Sequence, residues 1–286
     1  MQLDWPGENA DDPTLPRNRW FHPSSNCCLD FHGDPAASAL RVFSDGNHHM
    51  ALEQTLEAFR TEHALSSIFY CTTPPKVYLD WMESGAIEIG NLRLGVAPDI
   101  VIGPDDIMEK LASRDAVRRI SVFAQSRGNS LLVRKGNPKN IRDVRDLLSP
   151  EIRLFISNPR TESASHAVYR QTLEGFAGDA IGDLLDAGDR VLFGELIHHR
   201  EAPQAVADGR VDAAVVYGHL ALRYTRIFPE IFEHIPLPEG ECNITTRYAV
   251  GLVDETHGMA SELYRYFLED EAAGIYRHHG LLPIRD

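Results

Sequence analysis

The chain has 286 residues, 43% of them hydrophobic, with 28 basic and 42 acidic side chains and a formal net charge of -14. That length supports a sizeable core and room for two domains, and the acidic balance argues against non-specific nucleic-acid binding. No run approaches the roughly 18 apolar residues of a membrane helix, and residues 1–16 are acidic and proline-rich without the apolar stretch of a secretory leader.

The expectation is a periplasmic or extracellular protein if a leader has been removed, and a cytoplasmic one otherwise. Cysteine does not decide between these. Cys27 and Cys28 are adjacent, Cys71 and Cys242 are isolated, and no CxxC spacing occurs, so a zinc-finger reading has no support. Buried thiols are the expectation for them.

Residues 1–38 read as an irregular arm, punctuated by Pro6, Pro13, Pro16, Pro23 and Pro35. From there strands and helices alternate. Residues 40–43 predict a strand, 50–63 a helix, 65–70 a strand, and 74–84 a helix that opens on proline, which fits a first turn. A short apolar strand at 99–103 ends in glycine and leads to a helix at 104–113. Strands follow at 130–134, 153–157 and 212–217, with a short helix at 141–148 and a longer one at 164–176. Val191 and Phe193 alternate before a helix near 203–208. The pattern closes with a strand at 248–253 and helices at 259–268 and 271–278. Strands separated by helices of this length predict an α/β fold with a mainly parallel sheet. In such sheets the strand ends gather on one edge, where ligands bind.

The segment Arg41-Val42-Phe43-Ser44-Asp45-Gly46-Asn47-His48-His49-Met50 places a strand, a small polar turn and a helix start in sequence. Unpaired N–H groups of a first helical turn favour an anion, yet two adjacent histidines there are metal-ligand types. No GxSxG, HExxH, Walker loop or dinucleotide glycine fingerprint is present.

The run Asn129-Ser130-Leu131-Leu132-Val133-Arg134-Lys135-Gly136-Asn137-Pro138, followed by 141–148 and 151–157, resembles the periplasmic molybdate/tungstate-binding proteins, type II solute-binding proteins of ABC transporters. Asn158-Pro159-Arg160-Thr161 resembles their aspartate-proline loop. Gly209-Arg210-Val211-Asp212-Ala213-Ala214-Val215-Val216-Tyr217 resembles their segment ending in a ligand-facing tyrosine. Phe43-Ser44-Asp45-Gly46 and Cys71-Thr72-Thr73-Pro74 sit where the family has its first two ligand loops. Pro98-Asp99-Ile100-Val101-Ile102-Gly103-Pro104-Asp105 resembles its alanine-aspartate-strand motif, and the likeness extends over residues 40–286.

The resemblance implies a two-lobed type II periplasmic-binding-protein-like fold with two crossovers. Lobe one would be 39–124 plus 225–286, lobe two 125–224, and the ligand would lie in an interlobe cleft that closes by hinge motion. It implies a small inorganic ion or small anionic molecule as ligand, most favourably a tetrahedral oxyanion, and an ABC permease as partner if the protein is exported. Ser44, Thr72 or Thr73, the Thr161 and Ser163 loop, and Tyr217 match its ligand positions. A deprotonated oxyanion presents only acceptors, so hydroxyls and backbone N–H groups suit it.

The chain departs from that pattern at Asp45, Asn47, His48, His49, Glu162 and His166. Asp45 with His48 or His49, His166 and Glu162 would make a divalent-metal set of the kind that holds zinc. Asp45 as a helix cap and His48 and His49 as solvent-facing residues are the plain alternatives. His198 and His199 sit in a connection, His219 could reach a cleft, and Arg127 and Arg160 lie near predicted cleft loops. Binding without turnover is the leading expectation. A metal-binding protein, a biosynthetic enzyme on the same fold, such as those making the thiamine pyrimidine, and a sensory domain are its rivals.

Overall fold

The structure, a computed structural model, describes residues 30–89, 92–195 and 198–285. The expected arm up to residue 29, with Cys27 and Cys28, lies outside the described residues. The chain forms two compact units. Among the described residues, 126–245 make one, and the other combines residues 30–125 with residues 246–285. The chain therefore passes between units twice.

The first unit, lobe one, begins with β1 (Asp30–His32), β2 (Leu40–Ser44), α1 (His49–Glu62), β3 (Ile68–Thr72) and α2 (Pro75–Ser84). A hairpin of β4 (Ile87–Ile89) and β5 (Leu92–Leu94) precedes β6 (Ile100–Pro104), α3 (Asp105–Ser113) and β7 (Arg119–Gln125). Lobe two contains β8 (Asn129–Arg134), a 3-10 turn (Val144–Leu148), β9 (Leu154–Ile156), α4 (Ser163–Ala177), α5 (Asp179–Ala187), β10 (Val191–Phe193), α6 (His198–Ala207), β11 (Ala213–Tyr217), α7 (Gly218–Ile227) and β12 (Phe232–Pro236). The chain returns to lobe one with β13 (Arg247–Leu252), α8 (Gly258–Tyr266), α9 (Asp270–His278) and β14 (Leu282–Pro283).

Lobe one is built on a seven-stranded sheet of order β1-β3-β2-β6-β13-β7-β14. Its centre is parallel, β3 on β2 on β6, while β1, β13, β7 and β14 join antiparallel. The five-stranded sheet of lobe two, β10-β9-β11-β8-β12, is likewise parallel only among β10, β9 and β11. Both sheets are thus more mixed than a simple strand–helix alternation predicts. Parallel neighbours need a helical crossover, and β8 and β13 each enter their sheet directly from the other lobe. The central strands read as continuous apolar runs, as strands covered on both faces must. All five residues of β3 and of β11 are buried. Adjacent residues point to opposite faces, so Val42 and Ile102 join one lobe-one core with Leu52, Leu56, Phe59 and Tyr276, while Phe43 and Val101 join another with Phe69, Trp81 and Met108.

Two boundaries differ from those expected. Residues 225–245 belong to lobe two, because β12 pairs with residues 130–134 of β8. The end of the predicted irregular arm is instead an edge strand, β1, in register with β3. The helix predicted at 141–148 narrows to the 3-10 turn, which starts where Asp143 accepts from the Arg145 N–H (2.7 Å) and Asp146 reaches back to the Asp143 N–H.

The entering and leaving segments of lobe two are tied together by a buried polar knot. The Asn129 N–H donates to Asn243 Oδ1 (2.6 Å), and Asn243 Nδ2 donates to the Leu237 carbonyl (3.1 Å). Asn129 Nδ2 donates to Thr172 Oγ1 (2.7 Å), which also accepts from the Ile244 N–H (3.1 Å). Gly128 makes room for the knot. It has φ +83°, and a Cβ there would lie 2.3 Å from Asn243 Oδ1. Asn243→Ala leaves buried groups without partners and is expected to cost about 1–3 kcal/mol. Gly128→Ala adds a clash to a left-handed residue and is expected to cost at least about 1 kcal/mol. Urea unfolding of the two variants checks both values.

Candidate functional site

In lobe one the expected residues gather at the C-terminal ends of two parallel strands. Ser44 ends β2 and is in register with Thr72, the last residue of β3. The Thr73 N–H then donates to the Ser44 carbonyl (2.9 Å). Helices α1 and α2 start just beyond, neither with a side-chain cap. Asp45 is therefore not the cap that aspartate in a turn suggests. It is buried, with Oδ1 3.0 Å from His48 Nε2 and Oδ2 accepting from Asn47 Nδ2 (3.4 Å). His48 is buried as well, against the solvent-facing alternative. Its Nδ1 is 2.9 Å from Tyr276 Oη, and its Nε2 is 3.3 Å from Ser44 Oγ. Both ring nitrogens are thus engaged within the protein. His49 is half-buried, with Nδ1 donating to the Gly46 carbonyl (3.0 Å).

The hydroxyls of this cluster are not equivalent. Ser44 Oγ donates to the Asp45 carbonyl (3.0 Å). Thr73 Oγ1 is buried and, among the described residues, has no hydrogen-bond partner. Tyr78 Oη on α2 shares that condition. Burial, with the charge of Asp45 beside them, pushes the hydroxyls of Tyr78 and Tyr276 well above the usual tyrosine range, so both stay protonated.

In lobe two the expected loop is spread over two environments. Thr161 and Ser163 are exposed at the start of α4, which also lacks a side-chain cap. His166 is buried, its Nδ1 donating to the Ser157 carbonyl (2.8 Å). Glu162 reaches α6, where its Oε2 accepts from the His198 N–H (3.0 Å). Tyr217 ends β11 with its ring buried against Tyr169 (centroids 5.1 Å apart) and stacked on His219 (5.6 Å). Tyr224 Oη donates to the His199 carbonyl (2.5 Å). Arg127 is paired with Glu239 at 3.7 Å, and Arg160 is exposed, its N–H donating to Asn158 Oδ1.

Sequence reasoning singled out neither Ser157 nor Tyr276. Ser157 lies one residue past β9, and its buried Oγ has no partner among the described residues. It ends a predicted strand just as Ser44 does, so the same positional logic reaches it. Tyr276 lies 228 positions from His48, and no local pattern announces that contact.

The proposed metal ligands fall into separate small groups. Asp45 and His48 touch each other, while Glu162 and His166 each turn to a different backbone group. Among the described residues, no three His, Cys, Asp or Glu side chains group closely enough to hold a metal ion.

The carboxyl of Glu162 is raised to about 7, first by burial and further by Glu201, against the lowering effect of the His198 N–H. Burial alone lowers His198 to about 3. These shifts predict a shape for the pH dependence of stability. A raised acid loses stabilisation as pH rises from 4.5 to about 7, and a depressed histidine loses it as pH falls from 6.5 to about 3. Between 4.5 and 6.5 the two slopes oppose. Their joint contribution therefore rises from pH 3 to 4.5, levels, and falls towards 7. Glu162→Gln is expected to remove the fall, and to stabilise lobe two by on the order of 1–3 kcal/mol above pH 7. Urea midpoints at pH 5, 6.5 and 7.5 test this.

Two α/β lobes joined by two chain passages, with hydroxyl-bearing turns at parallel strand ends, define a type II solute-binding protein. Residues 40–282 match the family described as bacterial extracellular solute-binding proteins, and the chain belongs to that family. The periplasmic molybdate-binding protein of Azotobacter vinelandii has a similar structure, with TM-score 0.65 and 16% identity over 85% of this chain and 98% of that one. The sulfate-binding protein SubI of Mycobacterium tuberculosis H37Rv gives TM-score 0.61 and 17% identity, over 86% of each chain. Iron-bound HitA of Pseudomonas aeruginosa gives 0.63 and 14%, again over 86% of each. The thiosulfate-binding protein of Escherichia coli (strain K12) is 39% identical over 59 residues, which span 21% of this chain and 16% of that protein.

Proposed function

We propose that the protein binds a small tetrahedral oxyanion as an exported receptor and passes it to an ABC permease. The observation that carries this reading is the same in both lobes. One residue beyond a parallel strand stands a buried hydroxyl that has no partner among the described residues, Thr73 after β3 and Ser157 after β9. Buried polar groups are rarely left unpaired, and a hydroxyl can donate to an oxyanion without a salt bridge. The uncapped starts of α1, α2 and α4 offer backbone N–H groups beside these turns. Among the similar proteins, three are named for molybdate, sulfate and thiosulfate.

The metal alternative has one observation in its favour, the iron-bound similar structure. The engagement of both His48 nitrogens opposes it. Titration calorimetry with molybdate, tungstate, sulfate, phosphate and zinc separates the two readings. Saturable oxyanion binding that survives a chelator is expected. Thr73→Val and Ser157→Ala are each expected to weaken it about tenfold, the loss of one good hydrogen bond. Zinc binding without oxyanion binding, abolished in His48→Ala/His49→Ala, would overturn the proposal.

A further inference from the structure

The hydrogens of the buried network around His48 can be placed one by one. Ser44 Oγ donates to the Asp45 carbonyl (3.0 Å), and a hydroxyl has one hydrogen to give. Toward His48 Nε2, 3.3 Å away, Ser44 Oγ therefore accepts. Asp45 Oδ1 lies 3.0 Å from the same nitrogen. A carboxylate oxygen against a bare ring nitrogen would set two lone pairs in opposition. Both neighbours thus require the hydrogen on Nε2, and in a neutral imidazole the other nitrogen is then an acceptor. That nitrogen, Nδ1, is 2.9 Å from Tyr276 Oη. Burial, with the charge of Asp45, keeps the Tyr276 hydroxyl protonated, so it has a hydrogen to donate.

The bonds therefore run in one direction, from Tyr276 O–H to Nδ1, from Nε2–H to Ser44 Oγ, and from Ser44 O–H to the turn. The His48 ring is buried among aromatic neighbours, with centroids 4.7 Å from Tyr248 and 6.5 Å from Phe123. A nitrogen buried in this way depends on the protein for its partner. Beyond Ser44 the chain of contacts continues through the backbone, where the Ser44 carbonyl accepts from the Thr73 N–H (2.9 Å). It thus ends on the residue that bears the buried strand-end hydroxyl of lobe one.

Resting on the oxyanion reading above, we propose that Tyr276 is a positioning residue for anion binding in lobe one. It acts through His48, by locking the ring as the tautomer with its hydrogen on Nε2. That tautomer fixes the Ser44 hydroxyl as an acceptor from the ring and a donor to the Asp45 carbonyl. Ser44 spends its hydrogen inside the turn, which leaves donation to the anion to Thr73. Tyr276 itself touches no ligand. Its contribution is to remove a choice of proton positions two contacts away from the strand end.

Two measurements test this. Nitrogen NMR of the imidazoles in the ligand-free protein at pH 7.5, with the His48 signal assigned by its loss in His48→Gln, reads the tautomer without any anion. Hydrogen on Nε2 alone is expected in the wild type, and a population with hydrogen on Nδ1 in Tyr276→Phe. The second is a double-mutant cycle by calorimetric titration with molybdate and sulfate. Tyr276→Phe is expected to weaken binding about fivefold in the wild type, the loss of one net hydrogen bond. In the His48→Gln background, where residue 48 has no tautomer to set, it is expected to add no further loss. An equal loss in both backgrounds overturns the inference, because a missing packing contact acts in both. A wild-type spectrum with hydrogen on Nδ1, or on both nitrogens, overturns it as well and leaves the oxyanion reading standing. Failure of every oxyanion to bind overturns that reading and the positioning role with it, whatever the spectrum shows. Should a variant not fold or His48→Gln not bind, the wild-type spectrum decides the matter alone.

Discussion

A carboxylate taken out of water shapes the start of this fold. Burying an ionised group costs several kcal/mol unless other groups compensate it, and Asp45 is buried at the first helix start of lobe one. The compensation comes from His48, one turn into that start, and from the Asn47 amide. His48 is in turn fixed by Tyr276 on α9, whose ring packs edge-on to Phe123 of β7. The turn between β2 and α1 is thus held from the far end of the sequence. Its hydroxyl and backbone donors are placed by a network that also brings negative charge to the same spot.

Lobe two manages its acid differently. Glu162 takes a backbone donor at the start of α6, so that helix start already has a carboxyl acceptor on one of its N–H groups. The His198 ring behind that N–H is buried among Tyr169 and Phe155. Ser157, by contrast, has a buried hydroxyl one residue past β9 with no partner among the described residues. Each lobe therefore couples a carboxylate with a strand-end hydroxyl that has no partner among the described residues.

Much of the architecture was legible because central parallel strands announce themselves as apolar runs. Residues 40–43, 99–103 and 212–217 carry that signal, and the helices after them have a clear apolar face. The edge strands gave weaker signals. β12 holds Glu233, His234 and Pro236, and only pairing with β8 makes it a strand, which is why the second crossing was expected twenty residues too early. At the site, position was readable and orientation was not. Ser44, Thr72 and Thr73 lie at strand ends as their order implies. Whether Asp45 and His48 face inward depends on Tyr276, and a contact across the chain leaves no periodic trace.

The sheet order of lobe one constrains how the chain comes together. Strand β13 lies between β6 and β7, although it follows all of lobe two in sequence. As the chain leaves the ribosome, β7 therefore emerges without the neighbour that joins it to the growing sheet. Lobe two is one unbroken stretch, closed at its base by the bonds among Asn129, Thr172 and Asn243, and it can complete itself first. Lobe one must wait for residues 246–286. Those late residues also deliver Tyr276, so the turn around Asp45 is finished only after all of lobe two has been made.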